Sequence, residues 1–281
     1  MAMTRIEMLQ TPALTGMPEP SLGEDLLLAL AAELETARRE ARGVAPLTER
    51  HPGMNLADAY GIAGAGMQQR ERAGARRVGA KIGLTSRAVQ RQLGVDAPDF
   101  GVLTADMAIA DGGAFVRAGA IAARAEAEIA FVLGADLPRT GITAATLLRA
   151  IAFALPAIEI VDSRVADWKI KLFDTIADNA SSCAYVLGSR PIAVSDFDPI
   201  RCGMTLRRNG EVASTGVGAA CLGSPIAAAC WLAETMGRLG EPLRAGDIVL
   251  SGALGPVVPV EAGDRLEAEI SGLGKVSFTV I

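Results

Sequence analysis

The chain of 281 residues contains a single histidine, His51. It lies in a His-Pro-Gly triplet typical of a turn, and a Ser-His-Asp triad or a histidine-rich metal site would depend on this one residue. We interpret it as an ordinary loop histidine. Cysteine is also scarce, and the cysteines present form no Cys-x-x-Cys pair, which argues against a zinc knuckle or a disulfide framework. They are Cys183, Cys202, Cys221 and Cys230.

Long apolar runs, excess positive charge and nucleotide-binding glycines are missing as well. No run approaches the roughly 18 apolar residues of a membrane span, and the first residues lack the apolar core of a signal peptide. The formal net charge is −5 and there is no basic patch, so nucleic acid is not an expected partner. The chain has no Gly-x-Gly-x-x-Gly motif and no βαβ rhythm that would support a dinucleotide-binding fold. We expect a reduced, cytoplasmic protein.

Helix signals dominate the first quarter of the chain. Residues 1–20 carry three prolines without periodicity and are interpreted as a poorly ordered tail. Ser21 and Glu24 fit a capping box for a first helix, and Asn55 is placed to cap a second one. We therefore predict an N-terminal tail and helical region over residues 1–75.

Short apolar segments separated by glycine, proline and aspartate follow, which predicts a β-rich catalytic domain over residues 76–281. The polar connection over residues 162–182 is long enough to expect a function for it. Together these signals predict an α+β fold with a mixed β-roll or barrel. The predicted elements are strands over 78–84, 124–133, 155–161, 184–187 and 203–207, helices over 85–93, 144–153 and 225–240, a loop over 95–101 and a hairpin turn at 208–210.

The strand over residues 124–133 alternates alanine with glutamate before a β-branched and aromatic run. Glu126 and Glu128 would lie on one face, with side chains only about 7 Å apart. Two carboxylates that close repel each other unless solvent or a cation lies between them. Either they occupy the solvated face of an edge strand, or they bind a hard divalent metal.

A third acid favours the metal site over the solvated edge strand. Glu159 lies between two isoleucines in a short apolar strand, where a lone carboxylate is costly to bury without a partner. Three carboxylates from two strands would make an oxygen site suited to Mg²⁺ or Mn²⁺.

Lys81 is a candidate for the chemistry near such a site. It lies between Gly79 and Gly83 in a predicted strand, and lysines avoid burial unless they are paired or functional. Asp99, which follows a proline in the predicted loop, is the candidate partner. The alternative is that both are surface charges.

Other polar residues have weaker signals. Ser251 and Gly252, at a strand end, can offer a hydroxyl and a backbone N–H to a carboxylate, although such pairs are common. Residues of the polar connection are either loop-capping groups or ligands. These are Asp174, Asp178, Asn179 and Ser181.

Several ordered motifs run from His51 to the end of the chain. They are Lys81–Ser86, Leu93–Gly101, Ala125–Phe131, Pro156–Arg164, Asp174–Ser182 and Leu250–Pro256. In these motifs the chain resembles the 2-hydroxypenta-2,4-dienoate hydratases (2-keto-4-pentenoate hydratases) of meta-cleavage pathways for aromatic compounds. These belong with the 4-oxalocrotonate decarboxylases in the fumarylacetoacetase-like superfamily. The departure is Ala123, where the family usually has proline.

The resemblance implies a fumarylacetoacetase-type β-rich domain with Glu126, Glu128 and Glu159 as metal ligands. It also implies that Lys81 is catalytic and that Asp99 assists it. The expected lysine pKa is depressed by the metal and by burial. The residues expected to bind substrate are Gly83, Leu84, Ser181, Ser251 and Gly252.

The implied reaction is metal-dependent addition of water to 2-hydroxypenta-2,4-dienoate, through its 2-oxo-3-enoate tautomer, to give 4-hydroxy-2-oxopentanoate. A 4-oxalocrotonate decarboxylase is the nearest alternative, and a basic residue for a distal carboxylate would favour it. A non-catalytic partner subunit is the alternative from another class. The family further implies a homo-oligomer, a pentamer or decamer, that can associate with a downstream pathway aldolase or a decarboxylase.

Overall fold

The computed structural model describes residues 18–86, 90 and 98–281. Among these residues no helix combines the length and apolar character needed to cross a membrane. The α-helices are α1 Glu24–Glu40, α2 Leu47–Arg50, α3 Leu56–Arg72, α4 Ala144–Ala150, α5 Leu172–Ala177 and α6 Pro225–Arg238. Short 3₁₀ turns cover Ala105–Met107, Arg117–Gly119, Ala166–Trp168, Asn179–Ser181, Val194–Asp196 and Gly218–Ala220.

The strands form two mixed sheets. The strands are β1 Arg77–Gly83, β2 Asp99–Thr104, β3 Ala108–Ile109, β4 Ala114–Phe115, β5 Arg124–Leu133, β6 Ile151–Val161, β7 Ser182–Leu187, β8 Gly203–Arg208, β9 Glu211–Val217, β10 Ile248–Leu250, β11 Val258–Pro259, β12 Arg265–Ile270 and β13 Gly274–Val280. The larger sheet has the order β2-β1-β10-β5-β6-β7-β3, with β11 also paired to β5, and the smaller has the order β4-β13-β12-β8-β9. In the larger sheet β1 pairs with β10 in parallel, whereas β5 and β6 form a long antiparallel pair.

Strand β5 divides the main core from the candidate site. Ala125, Ala127, Ile129 and Phe131 are buried in the largest hydrophobic cluster together with the smaller sheet and α6. The intervening residues point to the opposite face, as the period of two along a strand requires. The predicted alternation of this strand is confirmed, and it puts the glutamates on the face away from the core.

The N-terminal helices pack on the polar connection that follows β6. Leu30 and Leu34 of α1 and Ile62 of α3 form a second buried cluster with Ile176 and Ala177 of α5. The helical start and β-rich remainder confirm the predicted α+β class. The division into two domains at residue 75 stays a prediction.

Three local predictions are corrected. Gly23 precedes α1 without a side-chain cap, because the Ser21 hydroxyl lies 2.6 Å from Asp58 Oδ2 instead of capping the helix. Asp99 begins β2 and is not in a loop, since it pairs with Gly83 of β1. The helix after Thr143 ends at Ala150, where the chain enters β6. The predicted tail and the helix and loop before Asp99 fall largely outside the described residues.

The capping box at the start of α3 is the best-formed helix cap predicted from the sequence. Asn55 Oδ1 accepts hydrogen bonds from the backbone N–H groups of Ala57 and Asp58, and Asp58 Oδ2 accepts one from Asn55 N. By contrast Ser224, which precedes α6, makes no side-chain cap hydrogen bond.

We predict that Asn55→Ala lowers the free energy of unfolding by about 1 kcal/mol, because it leaves two N–H groups of the first turn without an acceptor. Urea denaturation measures this value. Ser224→Ala is the matched control, with a change of a few tenths of a kcal/mol. Equal losses in the two variants would contradict the prediction.

Candidate metal centre and adjoining cavity

Three glutamates from β5 and β6 meet on the face opposite the main core. The strand register places Glu126 directly across from Glu159, and Glu128 follows two residues later on the same face. One carboxylate oxygen from each of the three lies within 4.8 Å of the others. The structure thus brings together the three acids selected from the sequence.

These acids carry an unfavourable concentration of negative charge. Glu128 and Glu159 are fully buried, and Glu126 is partly exposed. Burial, reinforced by the Glu159 carboxylate, raises the pKa of Glu126 to about 7. Burial and the same neighbour raise the pKa of Glu128 well above its ordinary value. A bound cation would offset this cost.

One oxygen of each buried acid is held by the protein while the other is free. The N–H of Gly252 donates to Glu128 Oε2 at 2.8 Å, and the Ser182 hydroxyl lies 3.4 Å from Glu159 Oε1. Glu128 Oε1 and Glu159 Oε2 have no hydrogen-bond partner within the described residues, although they are inaccessible to solvent. Buried oxygens without partners, converging from three carboxylates, fit a hard divalent cation.

Lys81 contributes the nearest positive charge. It is buried in β1, and its Nζ lies 3.2 Å from Glu159 Oε1. Its ion-pair partner in the described structure is therefore Glu159, which corrects the expected pairing with Asp99. Burial lowers the pKa of Lys81, but Glu159 and Asp99 raise it more, to about 12. In the metal-free protein this is opposite to the expected depression.

Asp99 lies beside Lys81 because a glycine makes room for it. A Cβ atom at Gly83 would lie 2.1 Å from Asp99 Oδ1, so a side chain there would displace the carboxylate. Thr175 Oγ1 donates to Asp99 Oδ2 at 3.2 Å. Asp99 Oδ1 has no hydrogen-bond partner among the described residues, and burial raises the pKa of this carboxyl group.

A cavity of about 270 Å³ opens onto these groups. Gly83, Leu84 and Ser181 line it, together with Lys81 and Asp99. The Ser181 hydroxyl is buried without a partner in the described structure, and the residue has a left-handed φ of 55°. These three predicted substrate-binding residues are therefore at the cavity wall, and their contact with substrate stays a prediction.

Ser251 and Gly252 are not among the residues that line this cavity. The Ser251 hydroxyl accepts a hydrogen bond from Ile129 N and donates to the Gly252 carbonyl, so it is already engaged. The Gly252 N–H is used by Glu128. In this structure their polar groups support β5 and Glu128, and binding of a substrate carboxylate by the pair stays a prediction.

Thr175, Arg124 and Trp168 also line the cavity, and sequence reasoning assigned none of them. Arg124 could have been found from the strand alternation, which puts it on the face of Glu126. Thr175 and Trp168 come from the polar connection, where no periodicity indicates which side chains face the site.

A mixed sheet that gathers three carboxylates and a buried lysine around a small cavity defines a metal-binding enzyme scaffold. A sequence profile of the fumarylacetoacetate (FAA) hydrolase C-terminal family matches residues 67–281. The chain belongs to this family.

Close relatives carry more specific names. The chain is 52% identical over 256 residues to a 2-keto-4-pentenoate hydratase from Burkholderia vietnamiensis, covering 91% of this chain and 98% of the relative. It is 46% identical to a 2-hydroxyhexa-2,4-dienoate hydratase from Comamonas testosteroni, covering 87% and 94%. The 4-oxalocrotonate decarboxylase from Pseudomonas putida G7, solved with magnesium and adipate, superposes with a TM-score of 0.91 at 34% identity, covering 94% of this chain and 100% of that one.

We predict that Glu126→Gln and Glu159→Gln each weaken Mn²⁺ binding about tenfold or more, because an amide is a poorer ligand than a carboxylate. Isothermal titration calorimetry measures the dissociation constant without any substrate. Glu211→Gln, at an exposed position on β9, is the control and should bind as the wild type does. Wild-type affinity in both site variants would show that the cluster is not the metal site.

Proposed function

We propose that the protein is a divalent-metal-dependent hydratase that converts 2-hydroxypenta-2,4-dienoate to 4-hydroxy-2-oxopentanoate. The observation that carries the proposal is the cluster of Glu126, Glu128 and Glu159 beside buried Lys81, at a cavity sized for a small acid. The names of the hydratase relatives at about half identity support the same reaction.

The three glutamates would hold the metal. An all-oxygen ligand set favours Mg²⁺ or Mn²⁺ over zinc, which prefers nitrogen and sulfur. When bound, the cation supplies stabilisation of the negative charge that develops on the substrate's C2 oxygen.

Lys81 would hold and move the proton. Its Nζ lies 3.2 Å from Glu159 Oε1 and lines the cavity, where it would donate a proton to C5 of the dienol as the C2 hydroxyl proton is lost. This yields the 2-oxo-3-enoate, a conjugated ketone that is electrophilic at C4. Water then adds at C4 and a proton is delivered to C3. Asp99, held by Thr175, would orient the lysine between these transfers.

A 4-oxalocrotonate decarboxylase is the second candidate. The close superposition with such an enzyme and the presence of Arg124 in the cavity both favour it. The hydratase is preferred because a relative named as a hydratase is 52% identical to the chain, whereas the superposed decarboxylase is 34% identical. A non-catalytic partner subunit is disfavoured, since such a subunit has no need of three converging carboxylates and a buried lysine.

We predict that freshly generated 2-hydroxypenta-2,4-dienoate loses its ultraviolet absorbance in the presence of the protein and Mg²⁺, and that EDTA abolishes this loss. The product should be 4-hydroxy-2-oxopentanoate, identified by mass spectrometry. Restoration by added Mg²⁺ or Mn²⁺ is the control for damage by the chelator. Release of CO₂ from 2-oxo-3-hexenedioate without turnover of the dienoate would favour the decarboxylase instead.

We predict that Gly83→Ala lowers kcat about tenfold or more while Mn²⁺ binding is retained, because the new methyl group displaces Asp99 and leaves the glutamates in place. Steady-state kinetics and metal titration measure the two effects. Gly64→Ala is the matched control, since a Cβ there meets no atom within 4 Å. An unchanged kcat in Gly83→Ala would remove Asp99 from the mechanism.

A further inference from the structure

Arg124 is a cation in the cavity that the reaction as described does not use. It precedes Glu126 by two residues on β5, on the same face of the strand, and its side chain lines the cavity. In the described part of the chain, its guanidinium makes no ion pair within 4.0 Å and donates no hydrogen bond. Among the described residues, no acceptor uses its N–H donors.

Trp168 holds this side chain in place. The guanidinium carbon of Arg124 lies 4.3 Å from the centroid of the indole ring, a cation–π contact. The indole is itself fixed, because its Nε1 donates to the carbonyl of Ala122 at 2.9 Å. The ring contact orders Arg124 before any carboxylate binds. It also leaves the edge of the guanidinium plane free to donate hydrogen bonds.

Lys81 and Arg124 reach the acid cluster from different ends of β5. Through β10, the backbone of Lys81 is level with Ala130 of β5. Its side chain reaches back from there, so that Nζ contacts Glu159, which faces Glu126. Arg124 precedes Glu126 at the other end of the strand. A ligand held by the glutamates would therefore meet one cation from each end.

We propose that Arg124, held by Trp168, binds the C1 carboxylate of the substrate and so directs C3 to C5 towards Lys81 and Asp99. This rests on the proposed function, because the reacting carbons of the dienoate are those remote from C1. The reverse orientation would place a distal group at Arg124 and would carry the reacting carbons away from the lysine. Arg124 is thus a substrate-binding residue, and Trp168 is a positioning residue that acts through it.

Binding of saturated 2-oxo acids to the Mn²⁺-loaded protein tests this without turnover. 2-Oxopentanoate has only the C1 carboxylate, and 2-oxohexanedioate adds a distal one. We expect Arg124→Met to raise the calorimetric dissociation constants of both acids about tenfold or more and to an equal extent. Arg124→Lys should recover part of the loss, and Mn²⁺ binding itself should not weaken. Arg201→Met, at a position whose side chain is 88% exposed, should bind both acids normally.

A loss of affinity confined to 2-oxohexanedioate would overturn the proposal, since it would assign Arg124 to the distal carboxylate. Unchanged affinity for both acids would also overturn it. If the wild type binds 2-oxopentanoate through Arg124 but does not hydrate the dienoate, the role of Arg124 stands and the proposed hydration is refuted. Failure of the wild type to bind 2-oxopentanoate would refute both.

Steady-state kinetics and substitution of Trp168 provide a second test. Arg124→Met should raise KM for the dienoate more than it lowers kcat, because the carboxylate is bound in both the ground state and the transition state. Trp168→Leu should weaken 2-oxopentanoate binding less than Arg124→Met does. The double variant should bind no more weakly than Arg124→Met alone, because Trp168 acts through Arg124. Additive losses would show that Trp168 contacts the ligand independently.

Discussion

Repulsion among three carboxylates on the pocket face of β5 and β6 is the constraint around which the site is built. Glu126 and Glu159 face each other across the strand pair, and Glu128 is fully buried beside them. Lys81 offsets part of this charge through Glu159, and the remainder calls for a cation from solution. The Gly252 N–H holds one oxygen of Glu128, so the other oxygen is free to bind a cation between the three carboxylates.

Buried polar contacts hold the part of the cavity wall that comes from the connection after β6. Arg164 and Asp178 form a buried ion pair within the connection after β6. The side-chain amide of Asn179 accepts from the N–H of Val102 and donates to its carbonyl, so it substitutes for a neighbouring strand on β2. These contacts hold Asn179 to Ser181 in consecutive left-handed conformations, with Ser181 at the cavity. The cavity is consequently shaped before any ligand binds.

The sequence predicted the secondary structure of the chain better than its tertiary contacts. The extent of β5, the Asn55 cap and the α+β class followed from alternation, capping chemistry and punctuation by glycine. Ser21 does not cap α1 as its position predicts, because its hydroxyl contacts Asp58, and local propensity does not encode a contact between segments. The proline before Asp99 predicts a loop, whereas pairing with β1 makes Asp99 a strand residue.

The acidic trio and the lysine were identifiable from the sequence alone, because glutamate in an alternating strand, or between isoleucines, is costly without a compensating charge. The arrangement of these side chains in space depends on the register in which the strands pair. Only the tertiary structure placed Glu126 opposite Glu159, paired Lys81 with Glu159 instead of Asp99, and directed the Ser251 hydroxyl to the backbone of β5. The physical reason is that side-chain identity determines which groups need a partner, while the pairing of strands distant in the chain determines which partner lies within reach.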